Sequence, residues 1–476
     1  MATLWERFQA ALSAWRNPYQ QAATVSNLDP FMDSLDTSDQ ARLDLYRLFW
    51  RYYRGQHKRF LKTSGDRPDD NTILNFCRPI VNRGVAFLFG AGLEWELQTE
   101  TETPAEQAIA AAWRSPEWKN AFLTDLALNG AICGTAYVMI EPSPTGGVPR
   151  LVNLDPGIVF PETDEDDIDG VFAWQLRYRT RAGVIRRIIS RTDAGLWEFW
   201  TERFERAGRW EEVPETRGVF PYSWSPVFHC KNLPNPNEFY GLSDLEDADL
   251  NDAINTMASF VRRTGRLFPH QVLYSYGVKS DQFDTGSLYE MQTPEGYIKS
   301  VPVQGAMGES LGAVTQWVNY LHMVTDVPAF DPTIMSLGAQ SGFALKVLYG
   351  PLLAKTNVKR AHYGQMLIEV NRRLAELAGY GPDNVVSLIW GDPLPANPAE
   401  QVTGDQFELE SQLASKQTVA TRRGLNWESE QERMTNEQAK TADLSQQLLE
   451  QARRAFDGGM TDEEMPVMEA GSNGRS

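Results

Sequence analysis

The sequence predicts a mixed α+β fold, and two patterns support this prediction. Apolar residues recur three and four positions apart over long segments toward both ends of the chain, which is typical of helices packed on a core. Between them the period changes to two, and turn-forming clusters follow at short intervals, which predicts an antiparallel sheet rather than a nucleotide-binding parallel sheet. The predicted strands are Thr135–Glu141, Arg150–Leu154, Val171–Thr180, Val184–Ser190 and Leu196–Phe204.

Composition limits the functional classes. The 476 residues suffice for about three domains, and the formal net charge is −18. Such a chain does not fit a static clamp on nucleic acid, because lysine and arginine drive that binding. The charge does not exclude a protein that forms a channel through which DNA slides. Cys77, Cys133 and Cys230 form no CxxC pair and indicate reduced thiols in a cytosolic folding environment. We find no secretory signal and no apolar run long enough to span a bilayer, so we expect a soluble protein.

Helices are predicted before the sheet. The first interleaves aromatic residues with arginines, a pattern typical of cation–π packing on a core and also of stacking on nucleic-acid bases. The second ends at the glycine pair Gly90 and Gly92. The predicted bounds are Gln40–Gly55, Ile73–Gly92, Pro104–Arg114 and Trp118–Gly130.

A pair of helices is predicted after the sheet. Ser243 and Glu246 match a capping box, which predicts that the first helix begins at Ser243, and basic residues near its far end suit the helix dipole. Strand-like and turn-like sequence over Leu267–Val303 separates it from the second helix, which is predicted over Leu311–Asp326.

The longest helical pattern follows. Val327–Pro328 ends the preceding helix, because a residue before proline avoids the α conformation. A small-residue loop, Ala329–Gln340, then leads into a helix predicted to end at Gly379, on the order of 50 Å long at 1.5 Å per residue. We expect a kink near Gly350–Pro351, since proline has no amide hydrogen to donate. The pattern fits a mobile loop on a rigid arm, and it also fits a surface loop before a core helix.

The C-terminal part is predicted to open with a strand, Val385–Trp390. Charged helical segments follow over about Glu400–Ser415 and Asn426–Ala455, with Asn426 as an N-cap. The end of the chain, Asp457–Ser476, is expected to be disordered.

Catalytic motifs are scarce. The P-loop, HExxH and strand-following GxGxxG patterns are absent. Gly308–Gly312 matches GxSxG, so Ser310 is a candidate nucleophile with Asp326 or Asp331 and His362 as partners. The same string fits the start of a helix after a glycine-rich turn.

Two segments allow a metal-binding interpretation. Glu165–Gly170 resembles the first half of a calcium loop, but Leu176 stands where a bidentate glutamate is needed, and an acidic hairpin turn explains the segment as well. His229 beside Cys230 is either a ligand pair or a hydrogen-bonded core histidine. We therefore predict neither a metal nor another cofactor.

Several strings in order along the chain resemble the portal proteins of tailed bacteriophages, in the branch found in long-tailed phages. The resemblance extends over about residues 40–440. The strings are RYYRGQH near Tyr52–His57, NFCRPIVNRGVAFLFGAG at Asn75–Gly92, GTAYVMIEP at Gly134–Pro142, FYGLSDLEDADLNDAIN at Phe239–Asn255, DVP followed by SGFALK at Ser341–Lys346, and DPLPANPAEQ at Asp392–Gln401.

The resemblance implies a subunit with a mixed α/β wing, a two-helix stem, a small α/β clip, a long kinked helix and a helical crown. The implied parts are the N-terminal helices and wing sheet (1–238), stem helix 1 (239–266), the clip (267–308), stem helix 2 (309–328), the tunnel loop (329–341), the long wing helix and return strand (342–398), the crown (399–456) and a disordered tail (457–476).

The function that the resemblance implies is non-enzymatic. About twelve subunits would form a ring at one capsid vertex of the virion, made in the host cytoplasm and without a membrane. Double-stranded DNA would pass through the ring during packaging and ejection. The implied partners are the terminase large subunit, the major capsid and scaffolding proteins, and head-completion or adaptor proteins.

The resemblance also implies channel-facing residues. Those of the tunnel loop are Ala329, Phe330, Asp331, Thr333, Ile334, Met335, Ser336, Leu337 and Gln340. This loop has no lysine or arginine, so Arg262, Arg263, Arg266 and Lys346 are the candidate basic residues facing DNA. The arginines fit equally well a role in capping their helix and pairing with neighbouring subunits. Two other functions stay open, a serine hydrolase that uses Ser310 and a minor structural virion protein without a DNA channel.

Overall fold

The computed structural model of the protein describes most of the chain. The described residues are 35–61, 69–97, 103–143, 147–164, 166–180, 183–204, 209–267, 273–277, 294–300, 306–329, 346–381, 386–394, 398–422, 427, 430–431, 433–435 and 446–449. The chain divides into two compact units, Met1–Pro395 and Ala396–Ser476.

The described part of the first unit opens with α1 (Thr37–Tyr53), α2 (Cys77–Phe89), β1 (Leu93–Leu97), α3 (Pro104–Ala112) and α4 (Pro116–Cys133). Local start and stop signals explain these helices. Thr103 and Glu106 form a complete capping box at α3, and the Ser115 side chain caps α4. Gly134, at φ 78°, ends α4 in the left-handed conformation that favours glycine. All of the predicted helices are present with small shifts in their bounds.

The strands that follow are β2 (Thr135–Glu141), β3 (Arg150–Leu154), β4 (Val159–Thr163), β5 (Val171–Thr180), β6 (Gly183–Arg191), β7 (Trp197–Phe204), β8 (Trp210–Glu212), β9 (Gly218–Val219) and β10 (Val227–Lys231). One sheet has the order β10–β2–β3, and the other runs β4–β5–β6–β7–β8 with β9 paired to β7. Every pairing in these sheets is antiparallel, as the alternating pattern predicts. The predicted bounds of β2, β3 and β5 are confirmed, and those of β6 and β7 differ by single residues.

Arg42 explains the mixture of aromatic residues and arginines in α1. Its guanidinium carbon lies 4.6 Å from the ring centre of Tyr240 and 5.0 Å from that of Phe160. The same guanidinium pairs with Asp39 at 2.7 Å. Cation–π packing of α1 onto the body is therefore confirmed at this position.

The chain then forms α5 (Asp249–Leu267), β11 (Leu273–Tyr276), β12 (Tyr297–Ser300) and α6 (Ala306–Thr325), with β11 antiparallel to β12. The prediction that the first helix begins at Ser243 is wrong, since residues 244–248 form turns and α5 begins at Asp249. The second helix begins at Ala306, ahead of the predicted Leu311.

The expected kinked helix is also corrected. Residues 346–348 form a helical turn, Tyr349 interrupts it, and α7 (Gly350–Leu377) begins where the kink was expected. Pro351 stands in the first turn of α7, where the missing amide hydrogen has no intrahelical acceptor to lose. The end of α7 is close to the predicted stop, with Gly379 at φ 88°.

A distant ladder closes the first unit. Strand β13 (Val386–Trp390) pairs antiparallel with β1, so Leu93 lies opposite Trp390 and Leu97 opposite Val386. The strand near Val385–Trp390 was predicted, but β1 was not. Its partner lies far along the chain, so no local pattern reveals the pairing.

The second unit contains α8 (Pro398–Glu410) and α9 (Lys416–Arg422). The helix predicted over Glu400–Ser415 ends earlier, and α9 was not predicted. Most of the predicted helix Asn426–Ala455 and all of the predicted tail Asp457–Ser476 lie outside the described residues. Across the described part of the chain, no helix is both long enough and apolar enough to cross a membrane.

Candidate functional site

The candidate site is the root of the helix pair α5 and α6, where both helices meet α2 and α7. A small apolar cluster forms its centre, with Ile80 from α2, Ile254 from α5, Leu321 from α6 and Leu352 from α7 almost fully buried. Val327, which follows α6, completes the cluster. The polar contacts around it decide how the four helices are arranged.

One face of α5 binds the segment 69–76, which we call the strap. Asn251, Asn255 and Ser259 recur every four residues, so they share one helix face, and all three are buried. Ser259 Oγ accepts a hydrogen bond from the Thr72 amide at 2.9 Å. The helix predicted from Ile73 begins only at Cys77, and backbone groups of the strap before it are bonded to side chains of α5.

The two asparagines bind the strap backbone as a neighbouring β-strand would. Asn251 accepts a hydrogen bond from the Phe76 amide and donates one to the Leu74 carbonyl, each at 2.8 Å. Asn255 accepts from the Leu74 amide at 2.8 Å. Since buried backbone groups need partners, these side chains fix the register of the strap on α5.

The predicted basic residues at the end of α5 divide into two kinds. Arg266 donates from Nε and Nη2 to both carboxylate oxygens of Asp70, at 2.8 and 2.6 Å, and this hydrogen bonding lowers the pKa of Asp70. Arg262 is exposed and donates weakly to the Asn71 carbonyl at 3.4 Å, and Arg263 is exposed. Arg266 therefore holds the strap, whereas Arg262 and Arg263 present their charge to solvent.

Lys346, the other predicted basic residue, is exposed in the helical turn before α7. Of the predicted tunnel-loop residues, Ala329 is described and exposed. The remaining ones lie outside the described residues: Phe330, Asp331, Thr333, Ile334, Met335, Ser336, Leu337 and Gln340.

A buried ionic cluster that the sequence did not predict joins α7 to the segment before α5. Lys359 Nζ lies 2.5 Å from Asp244 Oδ2, and Lys355 Nζ lies 3.4 Å from Asp244 Oδ1. Burial alone raises the pKa of Asp244, but the two ammonium groups outweigh it and hold the pKa of this carboxyl below its ordinary value. The only sequence signal is the pair of lysines four residues apart, in register with the buried Leu352 and Tyr363.

Ser243 shows why α5 starts later than its capping box predicts. The Glu246 carboxylate accepts the Ser243 amide at 3.0 Å, so half of the box is present. The Ser243 hydroxyl instead lies 2.7 Å from the Ile132 carbonyl at the end of α4 and accepts the Leu245 amide at 3.0 Å. This side chain joins two segments and does not cap a helix.

Close backbone contact at the same place requires glycine. A Cβ on Gly134 would lie 2.2 Å from the Gly241 carbonyl oxygen, and its φ of 78° disfavours other residues as well. A Cβ on Gly84 of α2 would lie 3.2 Å from Asp244 Oδ2. Gly134 lets the end of α4 approach the Gly241 backbone, and Gly84 leaves room on α2 for the Asp244 carboxylate.

The geometry does not support the serine hydrolase. Ser310 lies inside α6 rather than on a strand-to-helix turn, so the nucleophile-elbow interpretation is wrong. Asp326 follows the far end of the same helix, roughly 24 Å away at 1.5 Å per residue, which is too far for a catalytic triad. His362 lies on α7, where burial lowers the pKa of its imidazole. Asp331, the other proposed acid, lies outside the described residues.

The calcium-loop interpretation is replaced by the acidic hairpin. The Asp164 amide donates to the Gly170 carbonyl and the Gly170 amide to the Asp167 carbonyl, each at 3.0 Å, between the paired strands β4 and β5. Glu165 lies outside the described residues. Among the residues that are described, no group of three or more histidine, cysteine or acidic side chains is arranged to hold a metal ion.

His229 is a hydrogen-bonded core histidine. Its Nε2 lies 2.6 Å from Thr135 Oγ1, and its ring stacks on Phe239 with 4.3 Å between ring centres. Burial, with a contribution from Lys231, lowers the pKa of His229 to about 3. Burial also raises the pKa of the neighbouring Cys230, so the pair is neutral and belongs to the core.

The mixed α+β architecture agrees with the class that the sequence predicts, the portal proteins of tailed phages. Residues 33–205 and 311–444, more than half of the chain, match the family described as phage portal protein, SPP1 Gp6-like. The chain belongs to this family of phage portal proteins, and the predicted resemblance is confirmed. The match leaves out residues 206–310, which include α5 and the β11–β12 ladder.

Two solved structures with similarity to the chain come from gene transfer agent particles. A chain of the neck of an empty gene transfer agent (GTA) particle, computed with C6 symmetry, has a TM-score of 0.37 and 14% identity, with 73% of this chain and 90% of that chain covered. A chain from the virion of a native GTA particle has a TM-score of 0.35, 14% identity and the same coverage. No curated protein sequence matches the chain.

Proposed function

We propose that the protein is the subunit of a closed portal ring of about twelve copies at one vertex of a virion capsid. Double-stranded DNA passes through this ring during packaging and ejection. The observation that supports the proposal most strongly is the family match, which lies on both sides of α5 and includes most of α6 and all of α7.

The parts of the ring follow the order of the elements. In this proposal α5 and α6 form the stem around the channel, and residues 267–308 with β11 and β12 form the clip. The tunnel loop is 329–341, α7 is the wing helix, and α8 and α9 belong to the crown. The clip meets the terminase large subunit and later the head-completion or adaptor proteins, while the wing and crown meet the capsid and scaffolding proteins.

The ring itself catalyses nothing, and a partner motor moves the DNA. The net charge of −18 suits a channel wall on which DNA slides, because each strong phosphate contact adds a barrier to movement. Fluorophosphonate labelling of Ser310 would contradict this part of the proposal.

The assembly is tested by native mass spectrometry and negative-stain electron microscopy of the full chain, alone and coexpressed with scaffolding protein. We expect a closed ring with a bore of roughly 20 Å or more, wide enough for a duplex. A ring or aggregate without such a bore favours the minor structural protein. A compact dimer labelled by a fluorophosphonate probe overturns the proposal.

In the ring, the copies of Arg262 and Arg263 form a belt of positive charge that attracts the DNA, since both side chains are exposed near the end of α5. Replacing both with glutamine changes the amount of DNA packaged in assembled heads. A matched control removes two exposed arginines from the wing sheet region, Arg203→Gln with Arg209→Gln, and leaves packaging unchanged. Equal DNA filling in both double variants contradicts the belt.

A further inference from the structure

Two basic side chains from other helices bind carbonyl groups at the end of α6 and just after it. Lys355 of α7 donates from Nζ to the Thr325 carbonyl at 3.2 Å. Arg83 of α2 donates to the Pro328 carbonyl. The Thr325 carbonyl is the last of α6, and the last four carbonyls of a helix lack intrahelical partners. The Pro328 carbonyl lies three residues further along the chain. Positive charge is also favourable there, because it opposes the negative end of the helix dipole.

His322 supplies a third donor from α6 itself. Its Nδ1 lies 2.8 Å from the Val327 carbonyl oxygen. A carbonyl oxygen only accepts, so Nδ1 holds a hydrogen in this contact. Burial lowers the pKa of His322 and the charge of Arg83 lowers it further, against a rise from the Val327 contact, which favours the neutral ring with its hydrogen on Nδ1.

The turn between these carbonyls is strained. Asp326 has φ 60°, in the left-handed region where glycine usually ends a helix. A non-glycine residue persists in that conformation when the surrounding contacts hold it. Here the contacts come from His322 of α6 itself and from side chains of α2 and α7, so two other helices help to hold the exit of the chain from α6.

Lys355 connects this exit to the ionic cluster. Its Nζ lies 3.4 Å from Asp244 Oδ1 and 3.2 Å from the Thr325 carbonyl, so one ammonium group contacts the segment leading into α5 and the end of α6. Because Lys355 belongs to α7, displacement of either helix relative to α7 has to break one of these contacts.

We infer that Lys355, Arg83 and His322 form a positioning clamp that fixes where the chain leaves α6, and that Lys355 couples both helices of the pair to α7. For the passage of DNA the inference rests on the proposed function, in which α5 and α6 line the channel. A push on the stem is then transmitted to the wing helix through Lys355.

The clamp is tested by hydrogen–deuterium exchange of the purified full chain carrying Lys355→Met. Methionine keeps most of the aliphatic length, and Asp244 retains Lys359, so the variant does not leave the buried carboxylate unpaired. We expect amides in the last turn of α6 to exchange at least roughly 10-fold faster, because the helix end frays more often. Strands β5 and β6 keep their exchange rates.

Matched variants separate the clamp from general destabilisation. Lys416→Met removes an exposed lysine at the start of α9 and leaves exchange in α6 unchanged. Lys355→Arg keeps the donor and the charge and restores slow exchange, and Arg83→Met repeats the effect of Lys355→Met at the same peptide. Unchanged exchange at the end of α6 in Lys355→Met overturns the clamp, and so does equal acceleration in β5 and β6.

DNA packaging by assembled heads tests the coupling separately. Heads built with Lys355→Met package less DNA than heads with Lys416→Met if the stem acts on α7 through this lysine. Faster exchange with normal packaging overturns the coupling. If exchange is faster but the protein forms no DNA-filled heads in any variant, the clamp stands and the proposed function fails.

Discussion

The main core and the root of the helix pair are held together by different interactions. In the main core, apolar side chains from helices and sheets pack on each other, and Leu126, Tyr137, Phe199 and Leu367 have no exposed surface. At the root, the apolar cluster is small, and buried asparagines, lysines and an aspartate make the remaining contacts described above. Apolar burial is non-directional, whereas hydrogen bonds and ion pairs require particular distances and angles. The core therefore supplies stability, and the root specifies the arrangement of the helices.

The largest effect is expected in the main core. Phe199→Ala removes a completely buried ring from β7 and should lower the free energy of unfolding by about 3–5 kcal/mol. Urea unfolding followed by tryptophan fluorescence measures the change. Phe172→Ala, at an exposed phenylalanine of strand β5 in the same sheet, is the control and should change it by less than about 0.5 kcal/mol. A similar loss of unfolding free energy in both variants would contradict the role of the buried Phe199 ring in the main core.

A smaller and more local effect is expected at the strap. Asn251→Ala leaves the Phe76 amide and the Leu74 carbonyl without their side-chain partner, which costs about 1–3 kcal/mol. Hydrogen exchange should show faster opening of the strap while the sheets keep their protection. Asn319→Ala, at an exposed position of α6, provides the comparison and should leave the strap unchanged. Equal protection of the strap in both variants would show that the Asn251 hydrogen bonds do not hold it.

Acid should weaken the main core through His229. Its pKa is about 3 in the folded protein and about 6.5 when unfolded, so the unfolded state takes up the proton first. The stability that the neutral ring provides is present above pH 6.5 and is lost as the pH falls toward 3. Between pH 7 and pH 5 the loss is about 2 kcal/mol, measurable from urea midpoints. His229→Phe should remove this part of the pH dependence, and an unchanged slope would contradict the assignment.

The smallest effect is expected from two arginines that contact adjacent strap residues. Arg266→Gln removes the two-oxygen contact with Asp70 and should speed exchange near the start of the strap. Arg59 pairs with Asp69 through one nitrogen at 3.0 Å, with most of its side chain exposed, so Arg59→Gln should have a smaller effect. If the two variants showed the same exchange rates in the strap, the two-oxygen contact of Arg266 would hold the strap no better than the single contact of Arg59.

Local patterns allowed part of the fold to be predicted. The bounds of β2, β3 and β5 were predicted correctly because alternation and turn residues lie within each segment. The pairing of β1 with β13 was missed because it depends on a strand far along the chain. A kink was predicted at Pro351 because the sequence shows a proline inside a continuous helical pattern. The break at Tyr349, which places Pro351 in the first turn of a new helix, leaves no signal in that pattern.

The candidate site was predicted less completely than the fold. The arginines at the end of α5 were noticed, but the contact of Arg266 with Asp70 depends on how the strap folds back. Lys355 and Lys359 were missed because lysines four residues apart are typical of a solvated helix face, and their acid partner is distant in sequence. The tunnel-loop residues came from the family resemblance alone and stay predictions.

The β1–β13 ladder has a consequence for synthesis on the ribosome. Leu93, buried in the main core, lies opposite Trp390, so this edge of the body cannot close until the ribosome has made the end of the first unit. At typical elongation rates the interval between these two residues is roughly 15–60 s. During that time the nascent N-terminal helices and sheets expose apolar surface that α7 and β13 later cover. We expect a chain interrupted before Val386 to bind chaperones rather than to form a stable body, because β1 then has no β13 to pair with.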